Sequence, residues 1–112
     1  MKRTRILAAA VFGVLAGLAV AVFAKEHNPS ALFREYCAKC HGEDGTANTP
    51  KGRQLMARDF TDAEFQSSKT DAELIKQVTK GGEDMPPFAK KLTKEQIERL
   101  VKNDVRGFAK KK

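Results

Sequence analysis

The sequence has no tryptophan, one tyrosine, two cysteines and two histidines in 112 residues. Each shortage removes a class of explanation. A four-ligand structural zinc site would need Cys37, Cys40, His41 and His27 together, the whole supply of thiol and imidazole. No arginine stripe or basic patch interleaved with aromatics is present, which argues against a nucleic-acid partner. There is no nucleophile triad, no glycine loop suited to phosphate and no carboxylate pair in a placed motif. Glu43-Asp44 and Glu83-Asp84 read as solvated loop charge. Neither enzymatic activity nor a small-molecule substrate is therefore expected. Strand-like alternation, internal repeats and low-complexity linkers are also missing, so the pattern is that of an all-α chain. The length allows one small domain, marginal in stability without a staple.

The formal charge of +7 includes Lys2, Arg3 and Arg5, which open a short basic start. Ile6 to Phe23 follows without a charge, and Val22-Phe23-Ala24 offers residues suited to signal-peptidase cleavage. Residues 1–24 thus read as a secretory signal and 25–112 as the mature domain. The rival is an uncleaved N-terminal membrane anchor, since the apolar run is at the threshold for a spanning helix. No cysteine lies near the cleavage point, which excludes a lipoprotein. Either way, the remaining chain is expected outside the cytoplasm, in the periplasm.

Cys37-Ala38-Lys39-Cys40-His41 contains both cysteines. Cys-x-x-Cys-His is the attachment spacing of a c-type haem. Each thiol can add across a haem vinyl group to form a thioether, and the spacer sets the two sulfurs about one helical turn apart. The adjoining imidazole can then ligate the iron. A thiol–disulfide centre also uses Cys-x-x-Cys, but it needs no His41 and normally sits in a βαβ setting. A structural disulfide would suit an exported chain, yet so short a loop stabilises little. One covalently attached haem c would supply both staple and apolar core mass.

Asn28-Pro29 is expected to start the first helix, Asn as cap and Pro in the first turn. Its apolar face, Leu32, Phe33, Tyr36, Cys37 and Cys40, runs into the haem motif, and Gly42 ends it. Gly42 to Asp59 reads as irregular loop. Thr61 to Glu64, Thr70 to Glu73 and Thr93 to Gln96 read as capping boxes. The second opens a helix stopped by Gly81-Gly82. The third opens the last helix, with Ile97, Leu100, Val101, Val105 and Phe108 on one stripe.

Phe33 to Gly45, Arg58 to Asp62, and Met85-Pro86-Pro87-Phe88 followed by Leu92-Thr93-Lys94-Glu95-Gln96-Ile97 resemble a small bacterial class I cytochrome c over essentially all of Lys25 onward. The resemblance implies an all-α fold whose first and last helices cross near one haem. It implies an iron held by histidine and methionine, with one haem edge exposed. Cys37 and Cys40 would be the thioether positions, His41 the proximal ligand and Met85 the distal ligand. Pro50 lies in the loop whose proline carbonyl usually accepts a hydrogen bond from the ligand histidine. One departure stands out. The family's last helix usually carries an aromatic just before a Val/Ile-Arg pair, whereas here Asn103-Asp104 precedes Val105-Arg106, with one residue extra.

Local mechanics agree with Met85. Gly81-Gly82 breaks the preceding helix, Pro86 biases Met85 toward extended backbone, and Pro86-Pro87 stiffens the segment. Met56, the other methionine of the mature chain, is expected to pack as a soft apolar side chain. The expected function is one-electron transfer, iron cycling between Fe(III) and Fe(II), with periplasmic or membrane-bound redox proteins as partners. The membrane itself is a partner only if the N-terminal segment is uncleaved. Lys39, Lys90 and Lys91 could steer an acidic partner. The alternatives are a haem sensor or weak peroxidase with a labile distal ligand, and a cytochrome domain serving a larger redox complex.

Overall fold

The computed structural model describes residues 27–109. The expected signal segment and the basic end Lys110 to Lys112 lie outside them. Among the described residues there is no strand, and no helix is long and apolar enough to cross a membrane.

Six short α-helices come first: α1 (Ala31–Tyr36), α2 (Ala38–His41), α3 (Pro50–Leu55), α4 (Ala63–Ser68), α5 (Asp71–Lys80) and α6 (Lys94–Arg99). The last continues into a π-helical turn, Leu100–Val105, and a 3-10 turn, Arg106–Phe108. Capping explains most boundaries. Thr70 with Glu73 and Thr93 with Gln96 form complete capping boxes, as the sequence predicts. Gly42 and Gly81 end their helices at φ 81° and 74°.

Three boundaries differ from expectation. The N-cap of α1 is Ser30 rather than Asn28, because the Ser30 hydroxyl accepts from the Phe33 N–H at 3.2 Å while donating to Asp104. Asp62, not Thr61, caps α4; Thr61 is held instead by Asp59 through its N–H and its hydroxyl. The stretch expected to be loop contains α3, started by the Thr49 side chain with Pro50 in the first turn. The Thr49 hydroxyl also donates to the Cys40 carbonyl at 2.9 Å, which fastens α3 to α2. At Gly52 the two backbones approach so closely that any β-carbon would strike the Cys40 carbonyl.

The core joins Phe33 of α1, Phe60, Leu74 and Val78 of α5, and the whole expected stripe of the last helix. The extra residue in that helix is absorbed by the π turn, where the Arg106 N–H reaches back five residues to the Val101 carbonyl. Asp104, three residues after Val101 and seven after Ile97, shares the buried face and is 2% exposed. Its two oxygens accept from the Ser30 N–H and the Ser30 hydroxyl, both at 2.8 Å. Arg106 then reaches across to α4 and α5, donating to Asp71 Oδ1, to the Gln66 carbonyl and side-chain oxygen, and to the Lys69 carbonyl.

Replacing Asp104 by alanine would remove both protein acceptors of the Ser30 N–H and hydroxyl. We expect a loss of about 2 kcal/mol, in the range for hydrogen bonds to a charged group. Urea unfolding of the purified protein checks this, with Asp59→Ala, on the exposed side, expected to cost less.

Candidate haem site

The helix that begins at Ser30 is interrupted once, at Cys37, which is both the C-cap of α1 and the residue before α2. Its backbone bends there (φ −118°, ψ −32°), so Cys40 and His41 follow Cys37 within about one turn. Burial, assisted by the charge of Asp104 and by Cys40, pushes the Cys37 thiol up to about 12. It is a neutral thiol at ordinary pH. That is the reverse of the lowered thiolate a thiol–disulfide centre needs.

His41 is held on one ring face and at one ring nitrogen. Its Nδ1 lies 3.0 Å from the Arg58 carbonyl, so the Nδ1–H donates there and Nε2 is left as the free nitrogen. The ring stacks on Phe60 with centroids 4.3 Å apart and planes 17° off parallel. Burial holds its protonation below the usual imidazole range, against the opposing pull of the Arg58 carbonyl, so the ring is kept as a neutral donor.

The carbonyl that accepts from His41 belongs to Arg58, which corrects the expectation for Pro50. Pro50 is exposed and occupied in starting α3. A backbone acceptor leaves no mark in the residue type. The available signal was the Arg58-Asp59-Phe60 stretch, which carries part of the family resemblance.

The Met85 segment is folded tightly back on itself. The Gly82 N–H donates to the Met85 carbonyl at 2.9 Å. Phe88 and Ala89 donate to the Val78 and Thr79 carbonyls of α5, which anchors the far side of the prolines. Gly81 is required here twice over: its φ is 74°, and a β-carbon would strike the Met85 carbonyl at 2.5 Å. Tyr36, just before Cys37, packs edge-on against Phe88 with centroids 6.0 Å apart and so links the two segments.

A narrow cavity of about 20 Å³ has Cys37, His41 and Met85 in its wall, together with Phe33, Phe60, Val78, Leu100 and Val105. The wall is almost wholly apolar. Met56 is elsewhere, 85% exposed and in the left-handed conformation that closes α3. A wider depression beside Arg34, Lys39 and Asn48 is open and polar, and it touches neither cysteine, His41 nor Met85. Among the described residues, no three His, Cys, Asp or Glu side chains converge as a metal cluster. His27, which a zinc site would need, lies instead against Phe108 and Gly107. A neutral imidazole, a thioether and a thiol on one apolar wall are the donor chemistry of a haem c pocket. A porphyrin is far larger than this seam, so its walls would part around it.

The sequence model of the family described as "Cytochrome C oxidase, cbb3-type, subunit III" matches residues 24–102. No curated protein matches the chain. Among solved structures, the KustC0563 c-type cytochrome is 44% identical with a TM-score of 0.66, over 70% of this chain and 94% of that one. A tyrosine-to-phenylalanine variant of Kustc0563 is 45% identical with a TM-score of 0.63, over 69% and 93% of the two chains. With this helical fold, the Cys-x-x-Cys-His segment and the oxidase-subunit family model spanning most of its length, the chain belongs to the small monohaem c-type cytochromes.

Proposed function

We propose that this cytochrome is a one-electron carrier outside the cytoplasm, with haem c bonded to Cys37 and Cys40 and its iron held between His41 and Met85. The observation that carries the reading is the apolar cavity whose wall contains Cys37, His41 and Met85 at once. When bound, the haem supplies reversible Fe(III)/Fe(II) exchange with no bond made or broken. The protein's part is positional. The Arg58 carbonyl fixes the His41 tautomer and directs Nε2 inward. The Gly81 turn and the α5 hydrogen bonds hold the Met85 thioether on the cavity wall. The surrounding Phe33, Phe60, Leu100 and Val105 exclude water, which together with a soft sulfur ligand favours the reduced state. With both His41 and Met85 holding the iron, the chain would leave no place there for a substrate.

A second reading has support from the family description: the same domain could serve within a larger oxidase complex. In either case the proposed partners are periplasmic or membrane-bound redox proteins, and export depends on the segment 1–24.

The exported protein should have the mass of residues 25–112 plus one haem after denaturation and extraction with acid and organic solvent. A polypeptide without the added mass would end the haem reading, and one retaining Met1 would favour the anchored form.

Met85→Ala should open the iron. Carbon monoxide binding should become faster, the potential should fall, and the weak long-wavelength absorption of a sulfur–ferric bond should vanish. Met56→Leu should leave that band in place. If the band is missing from the unmutated protein, the sensor or peroxidase alternative takes over.

Lys39, Lys90 and Lys91 are exposed, with Lys91 Nζ 5.8 Å from the Phe88 ring, beside the two ligand segments. Electron-transfer rates with an acidic partner should drop as salt rises from low to physiological strength. A rate indifferent to salt would remove steering by these lysines.

A further inference from the structure

Asp104 accepts two hydrogen bonds from Ser30, a task that does not need a charge. The position lies on the last helix, where the family usually has an aromatic, and the side chain is 2% exposed. Its Oδ1 has a second neighbour besides Ser30. His27 Nε2 lies 3.6 Å away, too far for a hydrogen bond, and is itself buried without any partner. The His27 ring is fixed in place. It meets Phe108 edge-on at 4.6 Å and 89°, and it covers Gly107 so closely that any β-carbon there would strike it. A bare imidazole nitrogen aimed at a carboxylate oxygen gains a charge-assisted hydrogen bond when it takes up a proton. The side chain of His27 is 23% exposed, so a proton can arrive from water.

We propose that His27 and Asp104 form a proton-binding site whose occupancy is linked to the oxidation state of the haem carried by Cys37 and Cys40. The inference rests on the reading of those cysteines as attachment points. With His27 protonated the pair is neutral; with His27 neutral it carries one negative charge. That charge acts within reach of the haem segment: Val105, next to Asp104 in the chain, lines the cavity shared by Cys37, His41 and Met85, and the carboxylate helps to raise the Cys37 thiol. A buried negative charge favours the oxidised, more positive centre, and a neutral pair favours the reduced one. Reduction therefore takes one electron from the redox partner and up to one proton from water, the proton going to His27 Nε2. Linkage requires the converse: protonation of His27 must raise the potential by the same factor.

The other charged groups nearby are engaged elsewhere. Arg106 turns to Asp71, Gln66 and Lys69, and Lys102 pairs with Glu98 at 3.5 Å. From α1, the polar face toward the pair is that of Ser30, which carries no charge. Phe108 and Gly107 close the remaining side. Glu26 precedes His27 and lies outside the described residues.

The test is the reduction potential of the full holoprotein as a function of pH, with the His27 imidazole followed by NMR in both oxidation states. The potential should fall as pH rises through the imidazole titration. His27 should bind its proton roughly fivefold more tightly in the reduced protein, the lower end for coupled sites. His27→Gln should flatten that part of the curve, and Asp104→Asn should raise the potential at high pH and weaken the slope. A slope unchanged in His27→Gln, or a His27 titration indifferent to oxidation state, would overturn the proposal even if Asp104→Asn fails to fold. Haem mass and the sulfur–iron band are read on the same samples. Protein without haem overturns the site reading and the coupling together. Protein with haem but without the band loses Met85 ligation only, and the slope still decides the coupling.

Discussion

The two hydrogen bonds from Ser30 to the Asp104 carboxylate determine where the first helix can start and how the last one must end. Taking a carboxylate out of water costs several kcal/mol unless its oxygens find donors. Here both oxygens do, and the donors are the N-cap residue's own N–H and hydroxyl. The same hydroxyl accepts from Phe33, so one serine turns a buried charge into a helix cap. Phe33, fully buried, then sits against Phe60 and Phe108, and the thiol-bearing segment follows one turn later. The spacing of Ile97, Leu100, Val101, Asp104 and Val105 puts the carboxylate on the same face as the apolar stripe. The π turn at Leu100–Val105 keeps Leu100, Val101, Asp104 and Val105 all buried.

The two ligand segments are held by different means. Around His41 the restraint is a stacked aromatic ring and a backbone carbonyl, both supplied by Arg58 to Phe60. Around Met85 it is a glycine turn, two prolines and a pair of backbone bonds to α5. Neither set relies on a surface ion pair, which salt would weaken. The exposed Arg34–Glu43 contact is the kind that contributes little.

Much of this was legible from residue order. Capping boxes at Thr70 and Thr93, the stops at Gly42 and Gly81 and the stripe from Ile97 to Phe108 are local signals, and each took its expected form. The all-α fold and the cytochrome family were legible in the same way. What escaped was decided by competition or by backbone. Asn28 and Ser30 are both good caps, and only a partner 74 residues away decides between them. Thr61 is drawn off by Asp59, which leaves the cap to Asp62. The Thr49-Pro50 start of α3 is a local signal set among loop-forming residues. The Arg58 carbonyl could not be read at all, because every residue has one. The surplus residue before Val105 is visible as a departure, but the wider helical turn that takes it up is a backbone feature that no residue type marks.

Because Ser30 and Asp104 are 74 residues apart along the chain, the closure of the domain is a late event in its synthesis. Contacts of such long sequence separation form only after most of the polypeptide is free to explore them. A chain made from its N-terminus presents Cys37 and Cys40 well before Asp104. During that interval the helix bearing them lacks the partner that caps it in the folded domain. The carboxylate that later seals the first helix thereby sets how long the two sulfurs stay open to reaction.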